Sequence, residues 1–291
     1  MPSGVSWFGR PGAPREPRSF SDDTAKLEHD ALKARLERLE AQVEMAERYF
    51  NEAFWNTLDT AYEAVLPGRL LFCPVCEHGA ERGAFETRVD QCVFGGGRLE
   101  RYVCPECDCI FGPQKYLDLS DDFVGRDYQM LYARYSEGDS TANELRAFHS
   151  LRPDHEGSYL DWGAGGGWNR TLAILREEGW TVAGYEPNAG GTEAATPPDL
   201  SPGSFDGLFS NNVIEHFRDP IAQFRQFHRL LKPGGKMAHA SPCYEYQYAY
   251  TRFHSVFLLG RSPFVLAERT GFAVVDSERD GEYINHVFQR L

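Results

Sequence analysis

Two pairs of cysteines carry the first recognisable chemistry in this chain. Cys73-Pro74-Val75-Cys76 and Cys104-Pro105-Glu106-Cys107 are separated by 27 residues, and two Cys-x-x-Cys turns can bring four thiolates to one tetrahedral Zn2+. Four such ligands leave no open position for a substrate, so the spacing predicts a structural metal and not a catalytic one. Buried free thiols are the plainer alternative, but they do not account for the paired spacing. Cys92, Cys109 and Cys243 lack a spaced partner and read as ordinary core or surface cysteines. This usage points to metal in a reducing compartment, not to a disulfide framework.

A second set of residues suits close approach of a ligand to the backbone. Asp161-Trp162-Gly163-Ala164-Gly165-Gly166-Gly167 is a Gly-rich turn between an expected strand and an expected helix. Glycine permits the approach, and a helix N-terminus offers unpaired N–H groups. Glu186 comes 25 residues after Asp161, at the end of the next strand, where an acid can accept hydrogen bonds from both hydroxyls of a ribose. A dinucleotide fingerprint would need glycine at position 168, and Trp168 stands there, so the pyrophosphate reading fails.

The spacing of Asp161, Gly163, Gly165 and Gly167 resembles the first motif, acid-x-Gly-x-Gly-x-Gly, of the class I S-adenosylmethionine methyltransferases. The stretch from Phe205 to Pro220, with Asn211-Asn212-Val213-Ile214-Glu215-His216 inside it, is similar to that family's fourth-strand segment. Leu230-Leu231-Lys232-Pro233-Gly234-Gly235 looks like its turn before the fifth strand. The resemblance covers most of residues 156–291. It implies a Rossmann-like α/β domain in which the loop of Gly163, Gly165 and Gly167 wraps the methionine part of S-adenosylmethionine and Glu186 holds the ribose. Asp161 and Asn211 join the expected cofactor set. Only eighteen residues separate Glu186 from Phe205, where the family fits a helix and a third strand, so the domain is expected to be shortened there. Asp199 and Glu193 are the acids of that segment, and Asp199 is the candidate for the adenine amino group. Ile110-Phe111-Gly112-Pro113, after the second cysteine pair, extends the match to a subgroup with a zinc ribbon ahead of the catalytic domain. Members of that subgroup commonly sit among enzymes that build surface glycans or modify deoxysugars.

Methyl transfer from a sulfonium is an in-line displacement that needs alignment and, for a hydroxyl acceptor, removal of a proton. Histidine is the usual base near neutral pH. His216 follows the fourth strand, where open α/β sheets bind ligands. His254, in Tyr250–Phe257, resembles a histidine the zinc-bearing subgroup carries before its last helix. Either could instead be structural. Tyr244, Tyr246, Tyr248 and Tyr250 alternate at two-residue spacing and read as an acceptor pocket or as a half-buried extended segment. Glu215, Asn211 and Asn212 are further polar candidates, with Asn212 also readable as a helix cap.

The elements that must position these groups follow from periodicity. Residues 1–21 mix Pro, Gly, Ser and Arg and read as a disordered leader without the apolar run of a signal peptide. Residues 22–67 form a helical arm: Leu32, Leu36, Leu39, Val43, Ala46 and Phe50 alternate at spacings of four and three, the pattern of a coiled coil, until Pro67 and Gly68 stop the helix. Self-association through this arm and a helix folded back on its own domain both fit. Residues 69–118 are the zinc module, 119–155 a connector with a helix near Thr141–Leu151, and 156–291 the methyltransferase domain. Strands are expected at 159–162, 181–186, 207–210, 236–241, 272–277 and 283–289, with a helix from Trp168 to Glu178.

No run of about 18 apolar residues exists, so a cytoplasmic protein is expected. A net charge of -13 argues against sequence-independent binding of nucleic acid. The expected activity is O-methylation of a sugar, free or within a glycan, with S-adenosylmethionine as donor and structural zinc. C-methylation of a nucleotide-linked keto-sugar is the alternative within the class. A non-catalytic assembly partner of a glycosyltransferase is the alternative outside it.

Overall fold

Strands that carry apolar side chains on both faces need both faces covered, and the observed sheet is built that way. The computed structural model describes residues 20–135, 138–165, 170–186 and 200–291, with side chains from Thr24 onward. The chain divides into two units, Met1–Phe50 and Asn51–Leu291. Helix α1 (Phe20–Val65) runs as the periodicity predicts and ends at the Leu66–Gly68 turn. In the second unit its last turns bury Trp55, with Phe54 and Leu58, in a cluster that includes Tyr116, Tyr128 and Phe253.

The cysteine module begins with the hairpin β1 (Leu70–Phe72) and β2 (Gly79–Glu81). It continues with the antiparallel strands β3 (Glu86–Gln91), β4 (Arg98–Val103) and β5 (Ile110–Phe111). The connector holds α2 (Gln114–Leu117), α3 (Asp121–Tyr132) and α4 (Thr141–Ser150). Then come β6 (Ser158–Trp162), α5 (Thr171–Glu177), β7 (Thr181–Tyr185), β8 (Phe205–Asn211), α6 (Pro220–Leu230) and β9 (Leu231–Ala240). The chain closes with β10 (Val256–Phe257), α7 (Ser262–Thr270), β11 (Phe272–Asp280) and β12 (Tyr283–Arg290).

The large sheet has the order β11-β12-β9-β8-β6-β7. Its β7, β6, β8 and β9 are parallel, and β12 and β11 are antiparallel additions at the far edge. Successive side chains of a strand point to opposite faces. Tyr159, Phe209, Ala238 and Val287 therefore pack with Phe148 of α4 and Leu175 of α5. Their sequence neighbours Leu160, Leu208, Met237 and Phe288 pack on the other face with Phe224, Phe227 and Leu266 of α6 and α7. This is the expected Rossmann-like α/β domain. The helix expected from Trp168 is seen from Thr171, residues 166–169 lying outside the described set. The shortened stretch with Glu193 and Asp199 also lies outside it, within residues 187–199.

The cysteine module does not end at residue 118 in space. Its larger sheet has the order β10-β5-β4-β3, with Val256 opposite Phe111 and Phe257 opposite Ile110. A strand 138 or more residues downstream of the module thus completes its sheet. Among the described residues no helix is long and apolar enough to cross a membrane.

His239 on β9 is fully buried among Phe224 and Phe227, with Ser210 Oγ 2.7 Å from its Nδ1. Burial pushes its imidazole down to about 3. A histidine held neutral in the fold and free to protonate once unfolded destabilises the fold as pH falls from about 6.5 toward its native value. From pH 7 to pH 5 the loss from this one group is about 2 kcal/mol. Denaturant unfolding of His239→Gln should show a correspondingly flatter dependence over that range; an unchanged slope would mean that other groups govern it.

Candidate active site and metal centre

Each cysteine pair sits on a knuckle of the same local shape. Glu77 N donates to Cys73 O at 2.9 Å, and Asp108 N donates to Cys104 O at 3.0 Å. Glu77 and Asp108, each following its pair, both take left-handed backbone, with φ of 62° and 67°. The knuckles face each other, with Cys73 Sγ 3.6 Å from Cys107 Sγ and Cys76 Sγ 3.4 Å from Cys104 Sγ. All four sulfurs lie within 4.8 Å of one another. A tetrahedral Zn–S distance of about 2.3 Å places sulfurs about 3.8 Å apart, so the four thiols are sized for zinc. Of the cysteines read as ordinary, Cys109 is buried beside this set, Cys92 Sγ lies 3.5 Å from Arg252 Nη1, and Cys243 lies beside His254.

The glycine loop leaves the carboxyl end of β6 in a conformation only glycine adopts freely. Gly163 has φ of 83°, and a Cβ on it would stand 2.5 Å from Val213 Cγ2. Gly163 N and Ala164 N donate to Tyr185 O at 2.8 and 3.2 Å. Gly165 N donates to Glu186 Oε2 at 3.3 Å, so the loop and the acid after β7 meet as the spacing predicts. Gly167 lies outside the described residues.

Asp161 is 1% exposed. Burial, then the nearby charges of Glu144 and Glu186, push its carboxyl well above the usual range. Among the described residues Asp161 Oδ2 and Asn211 Nδ2 have no hydrogen-bond partner. Glu144 and Glu186 put carboxyl groups beside the loop, a surround that disfavours a pyrophosphate and favours a cation. S-adenosylmethionine, with its sulfonium and ammonium charges, suits this surround, and the two orphaned atoms give it a place to bond.

Beyond the carboxyl ends of β8 and β9 the proposed base residues converge. The Ile214–His216 turn follows β8 directly. Glu215 is buried, and its carboxylate lies within 4.8 Å of ligating nitrogens of His216 and His254. The two imidazoles are 5.0 Å apart, ring centre to ring centre. His216 Nδ1 lies 3.0 Å from Phe253 O and 2.6 Å from Tyr128 Oη. His254 Nδ1 lies 2.8 Å from Tyr248 O. A carbonyl only accepts, so His254 Nδ1 carries the proton and Nε2 keeps a lone pair. Burial pushes His216 down to about 4 against the pull of the Phe253 and Asn212 carbonyls. Burial, then the charge of His216, holds His254 well below the ordinary range. Both rings are neutral at pH 7 and able to accept a proton.

The four alternating tyrosines do not form one wall. Pro242–Tyr244 is a helical turn, and Tyr248 takes a left-handed φ of 52°, which breaks the alternation. Tyr244 is buried near Glu215, whose charge adds to burial in raising its phenol, and its Oη has no partner among the described residues. Tyr246 Oη instead donates to Asp90, Tyr248 Oη donates to Glu282 at 2.7 Å, and Tyr250 is largely exposed. Asn212 is not a helix cap. It takes a left-handed φ of 54°, and Asp219 caps α6 by accepting from Ala222 N at 2.8 Å.

Three residues of this site were not found from sequence. Tyr128 reaches His216 from connector helix α3. Glu144 of α4 accepts from Thr171 Oγ1 at 2.6 Å beside the glycine loop. Arg101 of β4 is fully buried and donates to Thr251 O at 2.6 Å and His254 O at 3.0 Å. None lies in a motif. The Ser140–Thr141–Glu144 stretch that opens a helix is the one local signal among them.

The sheet order and the acid-flanked glycine loop are those of a S-adenosylmethionine-dependent methyltransferase. Residues 132–276 match the family described as "Methyltransferase domain". No curated protein matches the chain. Among solved structures, the chain is similar to a S-adenosylmethionine-dependent methyltransferase from Mesorhizobium loti at 18% identity, over 51% of this chain and 98% of that one, with a TM-score of 0.37. It is similar to Burkholderia thailandensis 1,6-didemethyltoxoflavin-N1-methyltransferase at 20% identity, over 66% and 95%, with a TM-score of 0.40. The CcbJ methyltransferase from Streptomyces caelestis gives 14%, 55%, 94% and 0.39 in the same terms. Likenesses this loose say nothing of the acceptor.

Two outcomes are expected at these sites. Cys104→Ser should lower bound zinc well below one ion per chain, measured by atomic emission, and lower the melting temperature, because structural zinc supplies folding free energy. Retained zinc and melting temperature would refute the four-thiolate site. Glu186→Ala should weaken binding of S-adenosylhomocysteine by about 2 kcal/mol in calorimetric titration, since a charged acceptor is lost. Unchanged affinity would place the ribose elsewhere.

Proposed function

We propose that this methyltransferase methylates a hydroxyl group of a sugar, free or within a glycan, with His216 or His254 as the base. The observation that carries the reading is the pair of neutral imidazoles 5.0 Å apart, beside buried Glu215 and the unpartnered Tyr244 phenol. A hydroxyl must lose its proton as the ether forms, and a carbohydrate acceptor suits a phenol and a carboxylate as hydrogen-bond partners.

S-adenosylmethionine supplies a methyl group activated by its sulfonium. The loop of Asp161, Gly163, Gly165 and Gly167, with Glu186 and Asn211, would hold it. As the acceptor oxygen takes the methyl group, a histidine Nε2 would accept the proton that the hydroxyl loses. Tyr128 and the carbonyls of Phe253 and Tyr248 orient the two rings. Zinc in the four thiolates has no part in this step and serves the fold. We place the protein in the cytoplasm, where thiols stay reduced and available to a metal.

Purified protein with the methyl donor and a panel of sugar and glycan acceptors tests this reading, with the product's methyl carbon read by NMR. An O-methyl ether is expected; a C-methyl product would favour the keto-sugar alternative, and no turnover with any carbohydrate would refute it. Single His216→Ala and His254→Ala variants should assign the base. Loss of it should lower kcat by about 10²- to 10⁴-fold with cofactor affinity unchanged. The acid limb gives a further check if His216 is the base. Pushed down to about 4, it stays unprotonated to well below neutrality, so kcat/KM should stay level down to about pH 5. A fall centred near 6.5 would mean an ordinary, solvated imidazole.

A further inference from the structure

We propose that residues 25–50 of α1 form an antiparallel two-stranded coiled coil with a second copy of this chain. This inference stands apart from the methyl-transfer reading.

The starting observation is an uncovered apolar stripe on a helix. From Thr24 to Phe50 every residue except Glu47 is exposed, and Leu32, Leu36, Leu39, Val43 and Phe50 are between 48% and 69% exposed. Burial on α1 sets in only beyond this stretch, at Phe54 and Trp55. An apolar seam at spacings of four and three is the seam of a coiled coil. In heptad terms Ala25, Leu32, Leu39 and Ala46 occupy d, and His29, Leu36, Val43 and Phe50 occupy a.

Charge complementarity points to a second copy as the occupant. The e positions change sign once along the helix, with Lys26 and Lys33 in the first half and Glu40 and Glu47 in the second. In an antiparallel pair e faces e, so Lys26 meets Glu47 of the second copy and Lys33 meets its Glu40. Each pair occurs twice by symmetry. A parallel pair also finds opposite charges, Glu28 with Lys33 and Arg35 with Glu40, so charge alone does not set direction.

Side-chain size does. A parallel, in-register pair would stack Ala25 on Ala25, Ala46 on Ala46, Phe50 on Phe50 and His29 on His29. That leaves thin layers beside overfull ones and brings two imidazoles together. The antiparallel pair sets Ala25 against Phe50, His29 against Ala46, Leu32 against Val43 and Leu36 against Leu39. Large faces small in the outer layers, and medium faces medium at the centre, which fills the seam evenly.

The full chain, zinc-loaded, should elute at tens of micromolar with a light-scattering mass twice 32.9 kDa. Leu36→Asp with Leu39→Asp should halve that mass and leave S-adenosylhomocysteine affinity unchanged. Direction is read from two charge changes. Lys33→Glu alone should weaken the dimer roughly three- to tenfold, and adding Glu40→Lys should restore it, because the two positions face each other only in the antiparallel pair. In a parallel pair the double change would be worse than the single one. Mild oxidation gives a second reading: Leu32→Cys and Val43→Cys proteins should cross-link when mixed and not when alone, with the natural chain as the control for native thiols. A monomer at this concentration would overturn the proposal and give the stripe to another occupant. A larger oligomer, a worsened double charge variant, or cross-linking of Leu32→Cys alone would overturn it as well.

Discussion

A buried guanidinium ties the two halves of the catalytic unit together. Arg101 belongs to the cysteine module through β4, yet its donors reach the carbonyls of Thr251 and His254 in the segment that carries a candidate base. Its cation lies over the Phe257 ring at 5.2 Å, with Asp90 3.6 Å away. A charge taken this far from water is tolerable only where its partners are fixed, and removing them costs several kcal/mol. Its hydrogen-bond acceptors are main-chain carbonyls, so the path of residues 251–254 is tied to the position of a strand from the module. β10 repeats the coupling one step later, since it is both an edge strand of the module's sheet and the continuation of the segment holding His254. The cysteine cluster, the strands of the module and a candidate base are thereby tied into one body.

The other candidate base is fixed from the connector. Tyr128 lies against Phe253, with ring centres 4.5 Å apart, and reaches His216 Nδ1 with its hydroxyl. Helix α3 is in turn held by a buried bidentate pair, Asp127 with Arg252, at 2.7 Å for each bond. Arg252 also lies over Trp55 of α1. The aromatic cluster of Trp55, Tyr116, Tyr128 and Phe253 therefore forms the floor beneath one imidazole, while the module forms the wall behind the other. Neither histidine is positioned by the Rossmann-like core alone.

What was legible in the sequence was chiefly what is local. The glycines after β6 and the acid after β7 are each set by a short run of neighbours, and the topology of adjacent parallel strands brings those runs together without further help. The paired cysteines were legible because a knuckle is built from five or six consecutive residues. The inner strands β6, β8 and β12 were legible because both faces are buried and the apolar runs are dense. Tyr128, Glu144 and Arg101 were not, because each acts across more than 15 residues of sequence and looks like any polar residue on an amphipathic element. The alternation of Tyr244 to Tyr250 misled for a related reason. Period two predicts an extended segment only if the backbone stays extended, and a helical turn at Pro242 with left-handed Tyr248 sends the four rings to different neighbours. The module boundary at residue 118 missed β10 because two residues carry too little pattern to announce a strand.

The acidic lining of the glycine loop bears on turnover as well as on binding. Glu144 and Glu186 lie beside the loop that would hold a donor whose sulfur is positively charged, and methyl transfer would leave that sulfur neutral. The same carboxyl groups that favour the donor then face a ligand with one less positive charge, in a setting where burial strengthens every charge interaction. On the proposed reading the loop would favour the charged donor over the spent one, whose sulfur is uncharged, so departure after transfer would need no moving part.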